Sequence, residues 1–314
     1  MVRLGLVAAL LAVLALACGE AEPPVAPRPT ATSTLAAGTP RGEVAVLDME
    51  GRTVRVSAEV KRVVALSPSA LEYAASFDLE VVGRASDASF PPSAAGAPTV
   101  GSTIAPKFDE IAALDPDLVI GDAGLQGAIR PRFDEFPYPV FLINVASYEE
   151  SLAAFRAVGE AVGQEDRAEE LVAATEAKVA EAKQSIVGKL QPKVLILTGS
   201  GRDVYAGSDA SYVGSLVRLL GATNVLGGAP QGAPIAGFGL VEVEQAAATA
   251  PDVVLLVAGS QSDLRAQIDA SPAWATSRPV LDGRVVLLDT TTFLRSPGAR
   301  AGDAVAELAR VMYR

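Results

Sequence analysis

The stretch Asp109–Gly121 reads DEIAALDPDLVIG, and Glu244–Leu256 reads EQAAATAPDVVLL. In each, an acidic residue stands seven positions ahead of a Pro-Asp pair, and an apolar run follows. The residue before a proline is poorly suited to a helix interior, so Pro116 and Pro251 mark turns from helix into strand. The runs after them are short and lack polar alternation, the pattern of strands buried on both faces. One αβ unit therefore occurs twice, and two related α/β halves are expected.

Reading outward, Val44–Asp48 and Thr53–Val56 flank Met49-Glu50-Gly51-Arg52 and predict a leading hairpin. Arg62–Leu66 (RVVAL) reads as a buried strand, followed by Ser67-Pro68-Ser69 and a helix through Leu71 and Tyr73 to about Phe77. Strands Glu80–Gly83, Asp117–Gly121 and Pro139–Asn144 alternate with helices Phe108–Leu114 and Gly124–Phe133. In the second half, KVLILT (Lys193–Thr198) leads into helices Tyr212–Leu220 and Val243–Ala248. The strands Asp252–Val257 and Arg284–Asp289 follow, with Asp303–Tyr313 as a closing helix. This alternation predicts, in each half, a parallel sheet with helices on both faces.

The longest helical pattern lies between the halves. Ser147 and Glu150 have capping-box spacing, and Leu152, Phe155, Val158 and Val162 follow the helical period. After Gly163-Gln164-Glu165-Asp166, Val172, Val179 and Ile186 continue one face. A helix over residues 167–187 would span roughly 30 Å, about one domain diameter. The predicted fold class is α/β: two doubly wound three-layer α/β/α lobes joined by a long interdomain α-helix, with a ligand cleft between the lobes. The expected segments are a signal peptide at 1–17, a spacer at 18–42, an N-terminal lobe at 43–146, a linking helical segment at 147–190 and a C-terminal lobe at 191–314.

Met1–Ala17 carries one positive charge, at Arg3, and then an unbroken apolar run. That run is short for a bilayer span and suits a secretory leader. It ends at Cys18, the only cysteine, and Ala15-Leu16-Ala17-Cys18 resembles a bacterial lipobox. A lone thiol has no internal disulfide partner; acyl chains on Cys18 would tether the protein to the outer face of the cell membrane or hold it in the periplasm. The Pro-Ala-Thr-rich stretch after it lacks any apolar period and reads as an extended spacer.

The net charge of −11 argues against nucleic acid as a partner. The chain has no histidine, which excludes Ser-His-Asp and Cys-His catalysis and any imidazole zinc site. No EF-hand or Walker pattern occurs, and Gly199-Ser200-Gly201 fails as a dinucleotide fingerprint at its third glycine. Carboxylate sites for hard cations remain open, but no metal site or resident cofactor is expected; the usual catalytic toolkit is missing, although catalysis is not thereby excluded.

Five stretches in order, KRVVALSPSALEYAASF (61–77), VVGRASDASFPPSAAGAPTVGS (81–102), DEIAALDPDLVI, SYVGSLVRLLGATNVLGG (211–228) and FLRSPGARAGDAVAELA (293–309), make the chain resemble the iron-chelate and cobalamin periplasmic-binding family of ABC importers. The resemblance implies a monomeric receptor for a ferric siderophore or corrinoid. It places Ser67, Pro68, Ser69, Phe90, Pro91, Asp122, Ala123 and Gly124 on the first lobe's side of the cleft. Ser200, Tyr205, Ser208, Phe238, Phe293 and Arg295 are placed on the other side, where Arg295 could meet an anionic chelate, while the family arginine at Arg300 reads equally as structural. It further implies that Asp109 or its neighbour Glu110, with Glu244 on the second lobe, seats the receptor on arginines of the permease dimer. A haem receptor of the same class is the alternative, with only a tyrosine such as Tyr205 or Tyr212 to ligate iron. An extracytoplasmic enzyme on the same architecture is the other rival.

Overall fold

The computed structural model describes residues 42–200, 203–228, 235–259 and 262–314. The leader, the lipobox with Cys18 and nearly all of the spacer lie outside the described residues. None of the described helices is long and apolar enough to cross a membrane.

The first lobe is built on a four-stranded parallel sheet in the order Glu80–Arg84, Arg62–Ala65, Leu118–Asp122, Val140–Ile143. Its two inner strands and the edge strand Val140–Ile143 are almost wholly buried, as their unbroken apolar runs require. The hairpin Glu43–Leu47 with Thr53–Ser57 pairs Val46 with Val54. The turn of the hairpin is pinned to the sheet by a hydrogen bond from Met49 N to Leu142 O at 3.1 Å.

The second lobe repeats the parallel motif with Lys193–Ser200, Val253–Val257 and Val285–Leu288 side by side. It departs from the expected all-parallel sheet on one side. There Asp203–Gly207 and Phe238–Leu240 add antiparallel strands, and Thr223–Asn224 pairs with the start of Lys193–Ser200. Gly199, at φ 120°, makes the tight return possible: a Cβ at this position would collide with the Asp203 carbonyl.

The internal repeat is visible in three dimensions. Helices Phe108–Ala113 and Val243–Ala247 are each followed by a left-handed residue directly before the proline, Asp115 (φ 46°) and Ala250 (φ 48°). The aspartate after each proline then clamps the neighbouring strand. Asp117 Oδ2 accepts from Lys61 N and Arg62 N, each at 2.9 Å, and Asp252 Oδ2 accepts from Lys193 N at 2.9 Å.

The linking segment is two helices, Tyr148–Val162 and Glu165–Ser185, broken by Gly163 in the left-handed conformation. Ser147 Oγ accepts from Glu150 N at 3.1 Å, while the Glu150 carboxylate takes Ala146 N at 2.6 Å, one residue outside the usual capping-box partner. The helices fold back on one another, with Arg156 paired to Glu169 at 2.7 Å. The second helix begins against the first lobe, where Gln164 Nε2 donates to Phe77 O at 3.3 Å. It runs on to the second lobe's closing helix, Ala301–Met312, where Lys178 meets Asp303 at 2.6 Å. Val172 and Val179 face inward as the spacing predicted.

Each sheet buries one face against its own outer helices, giving separate clusters around Val64, Val119 and Phe133 and around Leu195, Leu256 and Trp274. The other faces share a single continuous core. It runs from Val63 and Phe141 through Phe155, Val158 and Val172 to Ile196, Val213 and Leu308. The lobes are therefore fused through packed side chains as well as through the chain.

Candidate ligand-binding cleft

In open α/β sheets, ligands gather beyond the carboxyl ends of the strands. Here Pro68, Asp87, Asp122 and Asn144 each lie at or just after the end of a first-lobe strand, and all four line one cleft of about 320 Å³. The short hairpin of Gly101–Ser102 and Ala105–Pro106 adds Thr103 and Ile104 at its tip. The opposite wall comes from the second lobe: Tyr212 on helix Tyr212–Leu219, Phe238 on the antiparallel edge strand, and Phe293 to Arg295. The lining is mainly apolar with a few polar groups, the usual character of a small-molecule site.

The floor is formed where segment 293–300 crosses onto the first lobe. Ser69 Oγ donates to Pro297 O at 3.2 Å, and Ser296 Oγ donates to Glu72 Oε1 at 2.7 Å. Arg300 grips both oxygens of Glu72 and lies 4.3 Å over the Phe90 ring. Gly298, at φ 115°, presses its backbone against the Tyr73 phenol, which leaves no room for a side chain.

The charges of the cleft are few. Arg295 Nη2 donates to Asp87 Oδ2 at 3.2 Å across the lobes. Burial pushes the Asp87 carboxyl up, but hydrogen bonds from Thr103, with help from Arg295, outweigh it and hold the group below the ordinary carboxylate range. Asp122 is different. It is 6% exposed, caps the turn Ala123–Gln126 through Leu125 N at 3.2 Å, and has no cation beside it among the described residues. Burial lifts it to about 6 despite that capping bond. Tyr212 lines the cleft with its ring, while its buried hydroxyl finds no hydrogen bond of good geometry and its phenol is pushed upward by burial.

Of the positions expected from the sequence, the fold brings Pro68, Asp122, Gly124, Phe238, Phe293 and Arg295 together on the cleft wall. The others fall elsewhere. Ser67 is buried as the N-cap of helix Pro68–Ser76, accepting from Ala70 N, and Ser69 ties the lobes together. Phe90 and Pro91 stand outside the lining, and Ala123 packs on the outer core of its lobe. Ser200 is exposed at a strand end, Tyr205 packs toward the shared core, and Ser208 bonds to Gly237 O at 2.8 Å. Asp87 and Asn144 were missed, although each follows a strand end and could have been found by that rule. Thr103 and Ile104 sit on a hairpin too short to leave a sequence signal.

Asp109 and Glu244 occupy the same second position of equivalent helices, both exposed and without an ion-pair partner among the described residues. Glu110 instead pairs with Lys107 at 2.8 Å.

Residues 63–292 match the family model described as periplasmic binding protein, and the chain belongs to that family. Its members are solute-binding proteins. The Fe(3+)-citrate-binding protein YfmC of Bacillus subtilis is 24% identical over 83% of this chain and 82% of its own length. The catecholate-siderophore binding protein VctP of Vibrio cholerae superposes with a TM-score of 0.70 at 16% identity, covering 86% of this chain and 99% of that one. IsdE of Staphylococcus aureus, solved with heme, gives 0.69 at 19% identity, over 81% and 99%.

Proposed function

We propose that this protein is the lipid-anchored, extracytoplasmic substrate-binding component of an ABC importer, and that it captures an iron chelate or corrinoid for delivery to a permease dimer. The observation that carries this reading is the single cleft wall assembled from both lobes, with strand-end residues Pro68, Asp122 and Asn144 facing Phe238 and Phe293. Family membership and the similarity to YfmC support the transport role and the chelate class. The continuous core across the lobes suits a receptor that presents a nearly fixed shape to its permease. It acts as a monomer and performs no turnover in this reading.

Asp109 and Glu244 are proposed as the docking carboxylates, one per lobe, with Glu110 less suited because Lys107 already neutralises it. Anchoring rests on Cys18 and the leader before it. The haem alternative draws less support from the side chains, since Tyr205 lies off the cleft and the Tyr212 hydroxyl is buried behind its wall.

The test is to purify the protein from its membrane fraction, measure the absorbance and mass of any bound small molecule, and titrate the stripped protein with ferric chelates, corrinoids and haem. A coloured one-to-one complex is expected. Failure of every candidate to bind refutes the receptor assignment.

A further inference from the structure

Resting on the chelate-receptor reading, the charge of the cleft narrows the ligand further. Among the described residues, its charged lining consists of two carboxylates, Asp87 and Asp122, and one guanidinium, Arg295. That guanidinium is already committed: it donates to Asp87 Oδ2 at 3.2 Å and to Asp87 O at 3.3 Å. Among the described residues, two neighbouring cations are committed as well. Arg300 is held by Glu72 at 2.8 Å through two hydrogen bonds, and Arg84 donates to the carbonyls of Ala85, Ala88 and Ala95.

Asp122 has the opposite character. Its Oδ1 accepts from Leu125 N, and nothing cationic stands beside the carboxylate among the described residues. A buried carboxylate without a counter-charge is unfavourable in the empty site, so a ligand that brings a positive charge or a hydrogen-bond donor to it gains directly. Recognition of a multiply anionic ligand needs free guanidinium forks or ammonium groups, which the lining offers nowhere among the described residues. At the rim, Ile104 is 72% and Leu125 46% exposed, giving the ligand's periphery an apolar collar.

We propose that the cleft selects a neutral or cationic chelate with an apolar periphery, of the ferric trihydroxamate or corrinoid kind, and rejects multiply anionic ferric complexes, with Asp122 setting the preference. Ferric citrate and ferric tricatecholates fall in the rejected class. So does haem, through its carboxylates.

Calorimetric titration of the purified full chain tests this with ferrichrome (neutral), ferrioxamine B (monocationic), cyanocobalamin (neutral), ferric enterobactin (trianionic), ferric citrate and haemin. At least one of the first three is expected to bind more than about tenfold tighter than any of the last three. Asp122→Asn is expected to reduce the preference for ferrioxamine B over ferrichrome by about tenfold. Asp87→Asn with Asp122→Asn, which frees Arg295 and removes both carboxylates, is expected to raise affinity for the trianion. Tightest binding of an anionic complex by the wild-type protein overturns the proposal, as does an Asp122→Asn variant with an unchanged ratio. If no member of the panel binds, the receptor reading itself fails and the inference falls with it.

Discussion

Glu72 of the first lobe and Arg300 of the second form a two-pronged ion pair, with Arg300 Nε and Nη2 each 2.8 Å from a different carboxylate oxygen. Glu72 is 3% exposed, and burial raises its carboxyl above the usual value against the pull of Arg300 and Ser296. The pair fixes the floor of the cleft, and Phe90 is stacked under the same guanidinium.

Arg300→Ala should therefore destabilise the protein by about 3 kcal/mol at neutral pH, since a buried carboxylate loses its cationic partner. The loss should shrink toward acid pH, where Glu72 takes up a proton and no longer needs the cation. Urea unfolding at pH 5 and pH 8 checks this. Glu72→Gln combined with Arg300→Met should cost less than Arg300→Ala alone; the reverse order would show that the pair is not the source of the loss.

Asp122 predicts the opposite sign. Its folded value of about 6 lies above the ordinary 3.8, so the folded state holds the proton more tightly than the unfolded chain. The group's favourable contribution is complete below pH 4 and is lost as pH rises through about 6. Asp122→Asn keeps an acceptor for Leu125 N and removes the charge. It should stabilise the empty protein by about 2–3 kcal/mol at pH 8 and by almost nothing at pH 4. Equal effects at both pH values in denaturant titrations would rule out the buried charge as the cause.

The two strand clamps should differ in cost. Asp117 serves two backbone N–H groups and Asp252 one. Replacing either with alanine should lose about 1–3 kcal/mol, with Asp117→Ala the larger. Thermal or urea unfolding of the two single variants gives the order directly.

Charge reversal of Asp109 and Glu244 together should abolish uptake while leaving ligand affinity within about twofold of wild type, because surface charges at a docking site act on partner complementarity. Transport assays in a strain carrying the cognate permease, with parallel binding titrations, separate the two. Equal loss of both would place these carboxylates in ligand binding instead.

Cys18→Ser should release the protein from the membrane fraction or stall its processing. Detergent phase separation of wild type and variant reads this out; a wild-type chain found wholly in the aqueous phase would refute the anchor.

Much of the architecture was legible because it is written in local patterns. The apolar runs at Arg62–Leu66 and Asp252–Val257 name buried strands without reference to anything distant. Ser67, Ser147 and Ser211 cap the helices that follow them, and the repeated Pro-Asp marks the same helix-to-strand turn in each lobe. The antiparallel strands Asp203–Gly207 and Phe238–Leu240 were not legible. Their short, glycine-containing sequences show no period, and they exist because the edge of Lys193–Ser200 was available to pair.

The sequence by itself determined the two-lobed α/β class, the bridge between the lobes and the chemistry that the absence of histidine rules out. Only the tertiary structure decided what the residues at the strand ends do. Ser69 was a candidate equal to Pro68 along the chain, yet it is consumed in joining the lobes. Asp87 faces Arg295 across 208 positions of sequence, and Asp122 faces no cation at all among the described residues. Local patterns fix the conformation of a segment, but the charge of a cleft depends on which distant segments meet there, and packing of the shared core decides that.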